Sequence, residues 1–397
     1  MYYSTNNNDL ALYIHYPFCE SKCPYCDFNS HVSNNIDYQS FTDAYLKEIA
    51  YFKDILGKRR ITTIFFGGGT PSLMPLDMIE KILAAISKNF TLDKNVEISL
   101  EANPSSFETQ KFKAIKALGV NRLSVGIQSF TQKNLQFLGR KHNAIEAINA
   151  VKSASEIFDN FSFDLMYCLP DQKIEDWLEE LKYALSFNTK HLSVYQLTIE
   201  KGTNFYQSFM KKEFLMPNED LSYDFFTKTH ELMAKNGFNN YEISNFAKPD
   251  FECRHNLNYW QGVDYLGIGA GAHSRLYLKD EKLKSAIVNF HAPEKWKSSI
   301  FERNEAIQNI EKVANQELLE EVLLTGLRLE KGLEEKTLTR IFGKKITEIF
   351  DCKKLKKLEE QNLILIENEA IKIHSKQKVI ANLIIFKVCE AVAVKLD

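Results

Sequence analysis

A chain of 397 residues and 45.9 kDa is longer than one hydrophobic core normally serves, which predicts one large domain with a smaller one attached, or two comparable domains. Hydrophobic residues at 44% and charged residues at 26% suffice to fill a core and cover it, and they exclude a disordered or fibrous chain. With 50 Lys and Arg against 52 Asp and Glu, the formal net charge is −2. That offers no global field for gripping nucleic acid or an anionic membrane, so no nucleic-acid partner is expected.

The N-terminal stretch Met1 to Leu10 is polar and rich in asparagine. It has neither the basic start nor the apolar run of a secretory signal. Of the seven cysteines, Cys19, Cys23 and Cys26 crowd together while Cys168, Cys253, Cys352 and Cys389 stand alone. An odd, uneven set of this kind is no disulfide framework and predicts a reducing cytoplasm. The apolar tail Val379 to Leu396 is broken by Asn382, Lys387 and Glu390, so it does not read as a membrane span. Peripheral contact at the inner face of a membrane stays open.

In chain order, strands are predicted at Leu12 to Tyr16, Thr62 to Phe66, Val96 to Leu100, Arg122 to Gly126, Phe161 to Tyr167 and Leu192 to Leu197. Between them Phe41, Tyr45, Ile49 and Phe52 recur at helical spacing, as do Ile79, Leu83 and Ile86, and then Trp177, Leu181 and Leu185. Alternation repeated six times specifies a parallel sheet with right-handed crossovers, open or as an incomplete barrel. A further helix passes through Tyr223, Phe226, His230 and Met233 and ends at Gly237. Residues 239–275, rich in aromatics, histidine and glycine, show little periodicity and read as irregular structure. After about residue 310, helical patterns lead to a closing strand pair, Leu363 to Glu367 and Ala370 to His374, which predicts a small C-terminal α+β domain. The cluster Lys353, Lys354, Lys356 and Lys357 reads as a solvated helix face.

The sharpest chemical signal is HYPFCESKCPYCDF, directly after the first predicted strand. Thiolates spaced four and then three residues apart converge only on a tight loop, and soft sulfur ligands suit zinc or an iron–sulfur cluster. A zinc site would need a fourth ligand, for which His31 is a candidate, but no second cysteine pair is present. Three cysteines fit a four-iron cubane with one iron left open. Further along, Phe66-Gly67-Gly68-Gly69-Thr70-Pro71 ends the second strand, and glycines there let backbone approach a ligand closely. Glu101 closes the third strand, Gln128 follows the fourth, Arg140 lies in LGRKH, and Asp164 interrupts an apolar strand. A buried carboxylate of that kind calls for a partner.

These residues resemble the radical S-adenosylmethionine (SAM) proteins, whose signature CxxxCxxC is matched by Cys19, Cys23 and Cys26, with Tyr25 before the last cysteine. The resemblance implies an α/β fold: an incomplete (β/α)6 parallel barrel carrying a 4Fe-4S cluster on those cysteines. It also implies SAM bound through the open iron with Tyr13, Tyr25, Gly68, Gly69, Thr70, Glu101, Gln128, Arg140 and Asp164. Order and spacing are similar to the branch that holds oxygen-independent coproporphyrinogen III oxidases and their haem-chaperone relatives, over nearly the whole chain. Phe28 stands where the oxidases carry a further cysteine, and the hexapeptide His255-Asn256-Leu257-Asn258-Tyr259-Trp260 is similar to the chaperones' HNxxYW. The expected division is therefore a radical SAM core over 1–238, an irregular segment carrying the hexapeptide over 239–300, and a small C-terminal α+β domain over 301–397.

The chaperone resemblance implies haem near His255, Tyr259 and Trp260, transfer to acceptor haemoproteins that include membrane-associated ones, and a homodimer as an open arrangement. Cys253 and His273 are alternative iron ligands. The competing reading is an oxidase that decarboxylates coproporphyrinogen propionates, and a weaker one is a zinc-stabilised binding module. Three positions depart from the family pattern: Cys168 and Asp171 where glycine is common, and Ala270 where proline is frequent.

Overall fold

The computed structural model describes residues 8–396, apart from the side chains of residues 106–108; the N-terminal stretch read above for a secretory signal lies outside the described residues up to position 7. Six strands form the centre of one sheet: β1 Asp9–Tyr16, β2 Arg60–Gly68, β3 Thr91–Ala102, β4 Arg122–Gln128, β5 Phe161–Tyr167 and β6 His191–Gln196. They run parallel and lie side by side in sequence order. Helices pack on them through the faces read from the sequence. Helix Tyr38–Leu56 buries Phe41, Tyr45, Ile49 and Phe52, and helix Ile174–Leu185 buries Trp177 and Leu181. Strands covered in this way read as near-continuous apolar runs, and Leu10, Leu12, Ile14 and Tyr16 of β1 are all buried.

Residues 239–275 are irregular only between short elements. Strand Tyr265–Ile268 pairs parallel with β1, and His273–Leu276, Lys284–Asn289 and Ile307–Val313 follow it as an antiparallel meander. At the opposite edge, Asn245–Ala247 pairs antiparallel with β6. The segment 239–300 therefore extends the main sheet at both edges. Its strands are four or six residues at most, too short and too polar for a period-2 pattern to stand out. A buried ion network fixes the junction: Asp264 takes Arg59 at 2.7 Å and Lys284 at 3.0 Å, all three groups being sequestered from solvent. A second apolar core, from Val313 to Ala391, is built on helix Asn315–Gly326 and the three strands Leu333–Glu334, Ala370–Ile373 and Ile364–Glu367. The four clustered lysines are exposed on helix Cys352–Glu360. No helix among the described residues is long and apolar enough to cross a membrane.

Helix Glu219–Lys235 lies where the sequence places it, but it is turned on its axis. It buries Phe225, Thr229 and Met233, while Tyr223 is half exposed and Phe226 and His230 are only partly covered. The reason is tertiary: Trp177 donates its indole N–H to Thr229 Oγ1 at 2.8 Å, drawing the threonine face inward.

Glu48, on helix Tyr38–Leu56, ties that helix to the sheet extension. Its carboxylate accepts from Gly269 N–H at 2.8 Å, from Asn289 at 2.7 Å, and from the Trp296 indole at 3.2 Å. Burial pushes its pKa up to about 7 against the pull of those donors. Because the folded value exceeds the unfolded one, the wild type loses stability as pH rises through that window. Glu48→Gln, which does not titrate, should therefore gain stability relative to wild type between about pH 4.5 and 7, on the order of 3 kcal/mol, and stay level above it. Urea denaturation of both proteins at pH 5 and pH 8 measures the change, and an equal gap at the two pH values contradicts it.

Candidate functional site: a cysteine loop over the carboxyl ends of the parallel strands

Residues 17–31 leave β1 and fold back over the carboxyl end of β2. Two backbone bonds clasp the loop: Gly69 N–H donates to Tyr16 O at 2.7 Å, and Thr70 N–H donates to Phe18 O at 2.9 Å. The approach is close enough that a Cβ on Gly69 would stand 2.5 Å from the Phe18 carbonyl oxygen. At Gly68, with φ +109°, a Cβ would strike the His15 ring at 2.6 Å. The glycine run is thus a packing requirement of the loop as well as a cradle.

Each cysteine sulfur in the loop meets a polar side chain. Thr70 Oγ1 donates to Cys19 Sγ at 3.4 Å, Arg140 Nη1 to Cys23 Sγ at 3.4 Å, and Ser30 Oγ lies 3.9 Å from Cys26 Sγ. Arg140 is itself held by Asn103 Oδ1 and Gly126 O, both at 2.8 Å, and Asn103 donates to Thr70 Oγ1 at 3.0 Å. One hydrogen-bonded chain so links the ends of β2, β3 and β4 to the cysteine loop. Burial works against the guanidinium charge, but Tyr25 and Cys23 more than offset it, and its pKa is raised.

Opposite lie two acids. Glu101 Oε2 accepts from Gly68 N–H at 3.2 Å. Burial, and then the charge of Asp164, push Glu101 up to about 8. Burial also pushes Asp164 up to about 6, although Ser193, Arg122, Arg140 and Ser124 pull it down. Two carboxyls in one enclosed site each make the other harder to ionise, and a bound cation would relieve both. Gln128 reaches the site from a β-bulge between Val125 and Gln128, with a left-handed φ of +69°. Bulges re-aim side chains in this manner, and the strain is held by the pairing on either side.

Of the residues expected to hold the cluster and SAM, all except Tyr13 line one cavity of about 170 Å³. Tyr13 sits behind it in a second cavity of about 160 Å³ that shares Glu101 and Asp164 with the first. The haem residues do not gather on an open face. His255 is 2% exposed, with Nδ1 hydrogen-bonded to Thr63 Oγ1 at 2.8 Å and Nε2 to the Tyr259 hydroxyl at 3.0 Å. Neither ring nitrogen is free for iron. Trp260 lines neither cavity and donates to Asn256 Oδ1 at 3.0 Å. Cys253 is buried against Glu97, and His31 hydrogen-bonds Asn29 outside the cysteine cavity. Among the described residues no group of three His, Cys, Asp or Glu is arranged to hold a single metal ion.

Sequence reasoning missed His15 and Asn103. His15 braces the back of Gly68 and hydrogen-bonds Asn29 O at 2.9 Å. Asn103 stands two residues beyond Glu101, and its position next to that strand-end acid was the available signal. The departures from the glycine pattern gain a physical meaning, because Cys168 and Asp171 both adopt left-handed backbone, at φ +61° and +56°.

The fold and this site define a class. The model of the radical SAM superfamily matches residues 13–184, and that of the HemN C-terminal domain matches residues 313–376. This is a radical SAM protein. Within that class, the chain is 38% identical over 328 residues to Heme chaperone HemW of Buchnera aphidicola subsp. Acyrthosiphon pisum, covering 82% of this chain and 85% of that one. It is 41% identical over 276 residues to Heme chaperone HemW of Escherichia coli, covering 69% and 72%. It is also 34% identical over 374 residues to the mitochondrial Radical S-adenosyl methionine domain-containing protein 1 of Mus musculus, covering 91% and 83%. The chain belongs to the HemW family. Coproporphyrinogen III oxidase (HemN) of Escherichia coli matches in structure with a TM-score of 0.79 over 96% of this chain and 90% of that one, at 22% identity, which establishes the shared fold.

Two outcomes follow from the loop geometry. Gly69→Ala should cost about 1–3 kcal/mol through overpacking and should lower iron and sulfide content after anaerobic reconstitution; full incorporation would contradict the clasp. Asp171→Gly, at an exposed left-handed position, should instead raise stability by about 0.5–1 kcal/mol, read by thermal denaturation, with iron content unchanged.

Proposed function

We propose that this chain binds haem and passes it to acceptor haemoproteins, with a 4Fe-4S cluster on Cys19, Cys23 and Cys26 and SAM beside it. The observation that carries the cofactor part is the shared cavity. Three cysteines, a glycine cradle and two buried acids face one another there. The donors that meet the sulfurs suit thiolates, and a 4Fe-4S cubane needs three of them at separate iron corners. The paired acids Glu101 and Asp164 suit a ligand that carries an ammonium and a sulfonium. When bound, such a cluster supplies an electron to the SAM sulfonium.

The chain's own residues do the rest. Arg140 places its positive charge beside Cys23 and joins that cysteine to the ends of β3 and β4 through Asn103 and Gly126. Gly68 and Gly69 hold the cysteine loop against β1 and β2, where a side chain would strike the His15 ring or the Phe18 carbonyl. Glu101 and Asp164 supply negative charge deep in the cavity, and Gln128 adds a neutral amide. For haem, the support is the name carried by relatives that match up to 82% of the chain, together with Phe28. That side chain is 60% exposed on the lip of the cysteine cavity, where the oxidases resembled by this sequence carry a further cysteine.

The test is made on anaerobically reconstituted protein. Replacing Cys19, Cys23 and Cys26 together by alanine should abolish the visible absorption and the iron content, whereas Cys352→Ala should leave both intact. Calorimetric affinity for SAM should rise from about pH 6 to about pH 8, because a cation binds more tightly as Asp164 and then Glu101 give up their protons. Glu101→Ala with Asp164→Ala should lower that affinity about tenfold or more and flatten the pH profile. Haem added to the wild type should co-elute on gel filtration, and coproporphyrinogen III incubated with SAM and reductant should stay unconverted. Conversion without haem retention would replace this reading with the oxidase.

A further inference from the structure

A third cavity, of about 550 Å³, lies apart from the cysteine site, between helix Glu219–Lys235, helix Arg254–Trp260 and the start of the C-terminal core. Its volume falls in the range that takes a ligand of several rings, about 300–1,000 Å³. The cysteine cavity and the cavity behind it are each about a third of that volume. The rotation of helix Glu219–Lys235 decides what faces the cavity. Because Phe225, Thr229 and Met233 turn to the core, His230 is left lining the cavity instead. Its ring packs against Phe226, with centroids 4.0 Å apart, and against Phe246 at 5.0 Å. Phe238, Phe246 and Leu257 supply apolar wall.

His230 makes no hydrogen bond among the described residues, in contrast to His255, whose two nitrogens are both engaged. Burial and the nearby Lys378 push its pKa down to about 4, so at neutral pH it is an uncharged imidazole, the form that ligates a metal. Lys331 and Lys378 line the same cavity, Lys378 resting on Asn240 Oδ1 at 3.2 Å and on Glu330. Two cations at an apolar cavity offer partners for carboxylates, although Glu330, Glu231 and Glu252 also line it. A carboxylate on Lys378 would take that ammonium from Glu330, which is about half exposed and can turn to solvent.

We infer that this cavity is the haem site, with His230 as the axial ligand, the phenylalanines against the macrocycle, and Lys331 and Lys378 toward its propionates. The inference rests on the haem-binding reading above. It also gives the hexapeptide helix a role. Leu257 and the following Gln261 face this cavity, while His255, Asn256 and Tyr259 face the cavity behind the cysteine site. The helix is the wall between the two, and Asn256, bonded to Trp260 and to the Tyr241 hydroxyl, braces it.

The experiment titrates haem into the full-length reconstituted protein and follows the Soret band of wild type, His230→Gly and Ala234→Trp. Ala234 lines the cavity on the same helix and is exposed, so a tryptophan there obstructs the space without entering the core. Wild type should show a histidine-ligated spectrum. His230→Gly should bind at least about tenfold more weakly and recover the wild-type band when imidazole is added, which also shows that the variant is folded. Ala234→Trp should lose haem while keeping iron and sulfide at the cysteine site. Wild-type affinity and spectrum in both variants would overturn the assignment and leave haem binding standing. Absence of haem binding by wild type itself would overturn the haem reading and the site together.

Discussion

The backbone clasp between residues 16–18 and residues 69–70 is the constraint on which the site depends. Parallel strands β1 and β2 stay in register to their carboxyl ends, from Leu12 opposite Ile64 to Tyr16 opposite Gly68. The two further bonds from Gly69 and Thr70 then carry that register into the loop. Within the cysteine loop the only ladder among the described residues is the two-residue parallel pairing of Phe18–Cys19 with His31–Val32, so its position must be borrowed largely from the main sheet. Here the borrowing works only because Gly69 has no side chain to push the Phe18 carbonyl away. Three sulfurs spread along eight residues are thereby held over the mouth of the sheet, where β3, β4 and β5 deliver Glu101, Gln128 and Asp164.

Electrostatics divides that mouth into two sides. On the cysteine side, Arg140 is buried yet stays charged, because Tyr25 and Cys23 offset the lost solvation and because Asn103 Oδ1 and Gly126 O accept hydrogen bonds from its guanidinium. On the far side, two acids share one enclosed volume and have one backbone donor and a few hydroxyls to satisfy them. A sheet that ended in this manner with nothing to bind would be storing desolvation free energy for no structural return. A ligand that is cationic at one end and coordinates through the other matches both sides at once.

The second organising element is helix Arg254–Trp260. Seven residues form only two turns, so the helix gains little from its own hydrogen bonds and is fixed by what its side chains touch. Glu97 of β3 accepts from the backbone N–H groups of Arg254 and His255 at its N-terminus, at 3.2 and 3.0 Å, the end where a carboxylate is favoured. His255 bonds to Thr63 on β2 and Tyr259 to His255, so the inner face is anchored to the parallel sheet. The outer face is left free to line the large cavity, and the same helix separates a polar chamber from an apolar one.

The sequence by itself determined the six parallel strands, the faces of helices Tyr38–Leu56 and Ile174–Leu185, the cysteine loop, and the polar residues at successive strand ends. All of these are local: hydrophobic period, turn chemistry and spacing are properties of neighbouring residues. Tertiary structure alone decided the rotation of helix Glu219–Lys235, which hangs on an indole of another helix reaching Thr229. It decided that residues 239–300 join the sheet, because their short strands become stable only by pairing with β1 and β6, more than forty residues distant. It also decided that His255 is a bracing residue with both nitrogens occupied while His230 is not. The availability of an imidazole is set by which donors and acceptors the fold brings within about 3 Å, and no sequence pattern records that distance.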